Sequence, residues 1–472
     1  MTGGWTKASL PEDMGLSSSA FMKFYEKYSG MGIHSMAVVR DGLVYAIAGK
    51  PWHEELPHTL FSLSKSFCSM AAGMAVDEGL LSYDDSVADV LRGSLPVGYD
   101  PALQGVKLRH LLSMSSGLDP MSDQRSLRSK RDWAAEVLGF RVLHEPGTHF
   151  HYNTLGTYLA GRMVAIRTGM SLRDYLMPRL FGPLDIKKPQ WDCCPMGYNT
   201  AGFGLHLSCM DIAKTAQLLL ERGKWQGKRL LSESYLDLAT RRQVNNRNEK
   251  TGEDPSDWEV GYGFQFWMAR HGRWRGDGMY GQVMMVDEAN NLALAVTAGI
   301  NDMGAEMDAL HALIDDLLTL PPAGQGEKAA LKKLSATLAF PEPPNDGGPL
   351  YGEGSYETRG RRLLRLETPD ENTLRVFYRG SGEPWPLCFT MRRGKPHHGE
   401  FRSHAPGERP QAYLGRFGVK DGVITAQVLM PEAPYMMALS ISRDEGGLLV
   451  HMDSVGSDKG QFKFVPAAQQ GR

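Results

Sequence analysis

Ser62-Leu63-Ser64-Lys65 is the one S-x-x-K in the chain. It opens a segment in which Phe67, Met70, Ala71, Met74 and Ala75 recur at helical spacing, and Gly79 is placed to end the helix. On a helix Ser62 and Lys65 lie one turn apart on the same side, so the amine reaches the hydroxyl. A serine hydroxyl is a poor nucleophile at neutral pH and needs a base beside it, which a lysine supplies only when desolvation or positive potential lowers its proton affinity. The helix N-terminus adds that potential, and its free N–H groups point at any oxyanion formed by attack of Ser62 on a carbonyl. The competing reading is an N-cap serine beside a solvated lysine.

A second candidate lies far along the chain. Glu145-Pro146-Gly147-Thr148-His149-Phe150-His151-Tyr152-Asn153-Thr154 reads as a Pro-Gly turn and a short extended run leading into a helix near Thr157. A phenol beside an ammonium can relay a proton to a leaving group, so Tyr152 with Lys65 can replace the histidine of a triad. Alternatively Tyr152 simply packs at a strand end. His149 and His151 alternate toward one side but lack a local carboxylate or cysteine partner, so no metal is expected. Neither a G-x-S-x-G elbow, an H-E-x-x-H helix nor a Walker loop is present, and no cofactor is expected.

The elements that must position these residues are spread over 472 residues, of which 42% are hydrophobic and 22% charged. His34 to Gly49 has the composition of a hairpin turning at Arg40-Asp41-Gly42. Between Ser82 and Gln217 the segments 107–114, 132–138, 157–168 and 210–221 look helical. Strand signals return at 262–267, 281–287 and 292–298, and a helix is expected at 305–318. The order predicts an α+β fold, an antiparallel sheet assembled from both ends of the unit and flanked by helices, with a helical insertion. Residues 321–349 are rich in Pro and Gly around a short helix-like piece and read as a linker. Beyond it, alternating β-rich stretches predict a small all-β C-terminal domain. The expected division is a hydrolase-sized domain at 1–320, the linker at 321–349 and the β-domain at 350–472.

Lys and Arg number 52 against 54 Asp and Glu, a formal charge of −2, which gives nucleic acid or an anionic membrane no general attraction. The N-terminal residues carry no apolar signal-like core, and no run approaches the length of a spanning helix. Five cysteines without metal-site or C-x-x-C spacing fit a reducing, cytoplasmic compartment.

On these residues the chain resembles the serine hydrolases of the class C β-lactamase and penicillin-binding-protein-like family, which includes esterases, D-amino-acid peptidases and 6-aminohexanoate-dimer hydrolases. The resemblance extends over about Ser35 to Ile300. It takes in Leu108-Arg109-His110-Leu111-Leu112-Ser113-Met114-Ser115-Ser116-Gly117-Leu118, Gly202-Phe203-Gly204, Gly223-Lys224-Trp225-Gln226-Gly227-Lys228 and Gly261-Tyr262-Gly263. It implies that Ser62 is the acylated nucleophile, Lys65 its activating partner and Tyr152 the proton shuttle. The family usually writes Tyr-Ser-Asn at the second motif, whereas this chain has Tyr152-Asn153-Thr154, so Asn153 or Thr154 is left to contact the substrate. The third motif, Lys-Thr-Gly or His-x-Gly, corresponds to Gly276-Asp277-Gly278, followed by Met279 and a further glycine, Gly281. That match implies an oxyanion hole from the N–H groups of Ser62 and Met279, with Gly278 letting the backbone come close.

Loss of the third-motif cation argues against substrates held by a carboxylate, so β-lactam hydrolysis is expected to be weak or absent. Arg273 or Arg275 is a candidate replacement, although charged residues leading into a strand are usually solvated. The reading is a metal-independent hydrolase of a small ester or amide, acting through an acyl-enzyme on Ser62. Two alternatives stay open: a peptidase for D-amino-acid or ω-amino-acid amides, and a catalytically idle binding protein on the same fold. The β-domain either limits substrate size or mediates homo-oligomerisation.

Overall fold

A computed structural model describes residues 5–119, 127, 129–247, 255–380, 387–401, 410–456 and 458–467. Two compact units are distinguished: Met1–Ala298 with Asp302–Leu338, and Gly299–Asn301 with Ala339–Arg472.

Among the described residues the first unit is built on a seven-stranded sheet. In chain order its strands are β1 (Thr6–Lys7), β2 (Ile33–Arg40), β3 (Leu43–Ala48), β4 (Trp267–Met268), β5 (Trp274–Gly278), β6 (Gln282–Asp287) and β7 (Leu292–Ala298). In space the order is β1-β3-β2-β7-β6-β5-β4. The expected hairpin forms because Asp41 and Gly42 both take left-handed backbone, φ 53° and 77°, the twist a tight hairpin turn needs. Strand β2 then pairs antiparallel with β7, Val39 opposite Ala293 and Met36 opposite Val296, so the two ends of the unit meet in mid-sheet as expected. Strands β2, β6 and β7 are buried nearly throughout, which is why they read as continuous apolar runs.

Helix α1 (Ser18–Tyr28) precedes the sheet. Helix α2 (Ser64–Asp77) is buried from Ser64 to Ala75, and Gly79 lies just beyond it at φ 70°. Its buried hydroxyls are all bonded: Ser66 donates to the Gln265 carbonyl, Ser69 to that of Phe264, and Ser64 accepts from the Leu205 N–H. A helix sunk this deeply needs those partners, since each unpaired buried hydroxyl costs about 1–3 kcal/mol. Helices α3 (Thr154–Thr168), α4 (Cys209–Leu220) and α5 (Met303–Thr319) match the expected segments within a few residues. The stretch 262–267 does not: only Trp267–Met268 is a strand, and Tyr262 makes isolated bridges to Val244 and Trp267.

The expected linker is displaced. Its helical piece, α6 (Gln325–Thr337), belongs to the first unit, where Ser19 of α1 donates a hydrogen bond to Glu327 and Leu331 is fully buried. The N–H of Lys50 donates to the Leu338 carbonyl. The division therefore falls at Leu338/Ala339 and not at residue 320, because the helical piece expected within the linker packs on the first unit.

Among the described residues the second unit is all-β, with ten strands from Gly354–Glu357 to Gly460–Pro466. They run as antiparallel neighbours, and Leu387–Arg393 also pairs in parallel with Gln411–Lys420, closing the sheet into a barrel. Alternate side chains such as Leu364, Leu366, Phe417, Ile441 and Phe464 fill its interior. No helix among the described residues is long and apolar enough to cross a membrane.

Because α6 covers part of α1, a chain ended at Leu338 is expected to melt at a higher temperature than one ended at Leu320, by several degrees in a calorimetric scan. Equal melting temperatures would mean that α6 contributes nothing to the first unit.

Candidate active site

A single turn of 3-10 helix, Phe61–Leu63, leads directly into α2 and carries Ser62. Phe61 sits at φ 47°, an uncommon conformation for a bulky residue, and it turns the chain so that Ser62 lies at the helix N-terminus while remaining partly exposed. Lys65, the second residue of α2, is 1% exposed. Its amine donates to Ser62 Oγ at 2.9 Å and to the carbonyl oxygen of Gly202 at 2.8 Å. Burial pulls the Lys65 amine down to about 7 against the opposing pull of the Asp277 carboxylate and Cys68. A neutral amine is therefore well populated near neutral pH.

Tyr152 arrives from the loop before α3. Its hydroxyl hydrogen-bonds the Ser62 side chain, and the Lys65 amine lies 4.9 Å from the centre of its ring. The ring stacks on Trp267, centroids 5.4 Å apart, and Tyr262 meets both rings edge-on. Burial and the Asp277 charge raise the phenol above its usual range, while the Ser62 hydrogen bond opposes them, so Tyr152 holds its proton at neutral pH. Ser62, Lys65 and Tyr152 thus converge from residues 90 positions apart in sequence on one spot.

The neighbouring residues of the second motif divide. Asn153 is buried, and its Oδ1 accepts the N–H groups of Leu155 and Gly156 at 2.9 and 3.1 Å, so this oxygen caps α3 and is not free for a substrate. Thr154 stays partly exposed beside the amine: a side chain built on Gly202 would fall 2.6 Å from the Thr154 methyl and 3.6 Å from Lys65 Nζ.

Strand β5 closes the other side. A Cβ on Gly278 would lie 2.0 Å from the Leu60 carbonyl oxygen, and one on Gly276 2.4 Å from Ser66 Oγ. Both positions exclude side chains because the strand lies flush against the turn that bears Ser62. Met279 follows with its side chain 54% exposed, at the start of a tight turn in which Tyr280 and Gly281 take φ 65° and 89°.

Neither arginine is solvated. Arg273 is 4% exposed and bonds Asp287 at 2.9 Å and His311 at 2.7 Å. Arg275 is fully buried and bonds Asp277 at 3.1 Å through Nε. A buried carboxylate receives each cation, Asp287 of β6 for Arg273 and, two residues along the same strand, Asp277 for Arg275. His149 stacks on His144, centroids 4.3 Å apart. Three participants escaped the sequence reading: the Gly202 carbonyl, Asp277 and Trp258, whose Nε1 donates to Asp277 at 3.0 Å. Gly202 and Asp277 left a trace, each lying in a stretch that carries the resemblance, while Trp258 left none.

Residues 23–319 match the sequence profile described as Beta-lactamase. The chain belongs to the Beta-lactamase family. Relatives in this family include the 6-aminohexanoate-dimer hydrolase of Paenarthrobacter ureafaciens, 23% identical over 49% of this chain and 63% of its own length. The lovastatin esterase of Penicillium rubens is 28% identical over 31% of this chain and 42% of its own. The chain thus spans less than two thirds of the length of these curated relatives. Among solved structures, the octameric penicillin-binding protein homologue of Pyrococcus abyssi superimposes with a TM-score of 0.50 at 17% identity, covering 94% of this chain and 98% of its own. The Beta-lactamase family is one of hydrolases that includes esterases and amide hydrolases, on the fold seen here.

The Lys65 amine has a stability signature. Its proton affinity falls from 10.5 unfolded to about 7 folded, so between those values the unfolded chain binds more protons and stability rises with pH; below about 7 the cost of a buried ammonium is carried in full. Lys65→Met is therefore expected to stabilise the protein at pH 6 by more than about 2 kcal/mol and far less at pH 10 in denaturant titrations. A gain equal at both pH values would show that the amine is not desolvated. Gly278→Ala is expected to cost on the order of 1–3 kcal/mol, since the added methyl meets main chain that cannot move aside.

Proposed function

We propose that the protein hydrolyses an ester or amide of a small substrate through a covalent acyl-enzyme on Ser62. The observation that carries the reading is the 2.9 Å hydrogen bond from the buried Lys65 amine to the partly exposed Ser62 Oγ. In its neutral form Lys65 takes the Ser62 proton as Oγ bonds the substrate carbonyl carbon. The C=O electron pair moves onto oxygen, where the N–H groups of Ser62 and Met279 receive it at the positive end of α2. As the intermediate collapses, Tyr152 passes its proton to the departing oxygen or nitrogen and regains one from Lys65. Water then repeats the sequence in reverse: it loses a proton to the Tyr152 and Lys65 pair, attacks the acyl carbon and releases the acid with Ser62 reprotonated.

The surroundings favour uncharged acyl groups. Gly276 carries no cation, Arg275 is committed to Asp277, and the wall near Tyr152 is aromatic through Trp267, Tyr262 and Phe150. A carboxylate-bearing β-lactam finds no free cation among these residues, so penicillin hydrolysis is expected to be weak. Amides belong in the same assay as esters because one relative is named for the hydrolysis of 6-aminohexanoate dimer. The octameric homologue favours self-association as a companion proposal, readable by light scattering.

A fluorophosphonate probe is expected to label the protein once, at Ser62, by peptide mass spectrometry. Ser62→Ala should abolish labelling and turnover of p-nitrophenyl esters and the corresponding amides; full labelling of this variant would mean another nucleophile. Lys65→Ala and Tyr152→Phe should each lower kcat/KM by about 10²–10⁴-fold with an unchanged circular dichroism spectrum.

A further inference from the structure

Gln282 opens β6, and its side chain is bonded almost entirely to main chain. Pairing of β6 with β7 reaches Val283 opposite Val296, and the pairing of β7 with β2 shifts register between Thr297 and Ala298. Ala298 thus stands at an irregular end of the sheet, where the Gln282 amide meets it as a peptide group would. Nε2 donates to the Ala298 carbonyl at 2.8 Å, and Oε1 accepts the Ala298 N–H at 3.4 Å. The same Nε2 reaches the carbonyls of Tyr280 at 3.1 Å and Met279 at 3.3 Å. Gln282 is fully buried, so its two N–H groups are divided among three carbonyl acceptors and none is left to solvent. The surroundings also fix which way the amide points, because exchanging its oxygen and nitrogen would set an acceptor against three acceptors.

Two of those carbonyls belong to the turn that carries Met279. Hydrogen bonds from one buried amide fix the peptide planes that follow Met279, while Gly278, packed on the Leu60 carbonyl, fixes the plane that precedes it. Gly281 adds a third restraint: a Cβ there would lie 2.7 Å from Glu306 Oε1 and 3.0 Å from the Ala298 Cβ, so the turn rests on α5 and β7. The turn is also joined to the one that bears Ser62. Tyr280 meets Phe61 edge-on, ring centroids 5.5 Å apart, and Phe61 precedes Ser62 as Tyr280 follows Met279. Both of these bulky residues hold left-handed backbone, φ 47° and 65°, which requires support from their surroundings. A ring contact and a main-chain contact thus hold the two turns in register, and Gln282 fastens the second of them to the sheet.

We propose that Gln282 is the positioning residue of the oxyanion site: its buried amide ties the Met279–Gly281 turn to the end of β7 and so fixes the Met279 N–H relative to that of Ser62. The proposal rests on the reading in which those two N–H groups receive the oxyanion. Donors stabilise a developing charge most when they stand in place beforehand, because reorienting a peptide during the reaction would cost part of what it contributes. A turn lying beyond the last paired residues of β5 and β6 has no ladder of its own to stiffen it, and the Gln282 side chain supplies the missing bonds. Having no exposed surface, Gln282 touches no substrate and acts only through Met279 and Tyr280.

The test compares a p-nitrophenyl ester with its thionoester, in which sulfur replaces the carbonyl oxygen and accepts hydrogen bonds weakly. The full-length protein is expected to prefer the ester strongly. Gln282→Met keeps the length and bulk of the side chain without its donors. It is expected to lower kcat and kcat/KM for the ester together by about 10–10²-fold, because the interaction it weakens is made in the transition state. The ratio of ester to thionoester kcat/KM is expected to fall by about the same factor. Gln282→Asn keeps an amide but draws it back by one methylene, and is expected to show the same pattern with a smaller loss. A purely structural role predicts less folded protein or a lower melting temperature with the ratio unmoved, and an unmoved ratio in the folded variants would overturn the proposal. Should Gln282→Met fail to fold, the ratio in Gln282→Asn decides in the same way. Equal hydrolysis of ester and thionoester by the unaltered protein overturns the oxyanion site itself, and labelling that persists in Ser62→Ala overturns the nucleophile, so failure of the underlying reading is told apart from failure of the role given to Gln282.

Discussion

A lysine amine removed from water and held 2.9 Å from a serine hydroxyl is the interaction on which the rest of the first unit depends. An ammonium does not persist there without large cost, and a free amine in water would be protonated at neutral pH; only burial places it between these limits. Each neighbouring feature serves that burial. The Gly202 carbonyl accepts a second hydrogen bond, so the amine is not left unsatisfied, and the absence of a side chain at Gly202 lets the chain pass close enough to offer it. Helix α2 is sunk into the core with its hydroxyls paired, which fixes the direction in which Lys65 points.

Strand β5 meets the same demand from the other side. Gly276 and Gly278 are flush with the turn at Leu60 and Leu63, so the strand acts as a wall rather than a source of side chains on that face. The charges along it are paired: Arg273 with Asp287, and Arg275 with Asp277. Gly276 thus lies beside a neutralised pair, and the wall around Tyr152 is aromatic.

Much of this was legible in the chain because it is local. The hairpin follows from Asp41-Gly42, α2 from the spacing of Phe67 to Ala75, and the Ser62 to Lys65 contact from one helical turn. Tyr152 was legible through resemblance, since nothing between Lys65 and Pro146 states that the two meet. What remained hidden depends on partners far away in sequence. Arg275 read as a solvated charge because Asp257 and Trp258 lie before it on a different loop; Asn153 read as a substrate contact because its cap role shows only once α3 begins at Thr154. Helix α6 was read as a helical piece of the linker because its hydrophobic face has meaning only beside α1.

The pairing of β2 with β7 carries a consequence for biosynthesis. Val39 waits roughly 250 residues for Ala293, its partner across the sheet. At about 5–20 residues per second on the ribosome, that is an interval on the order of tens of seconds during which the β2–β3 hairpin presents an unpaired, apolar edge. The sheet cannot close before β7 has been made, so throughout that interval the hairpin edge is open to pairing with other chains.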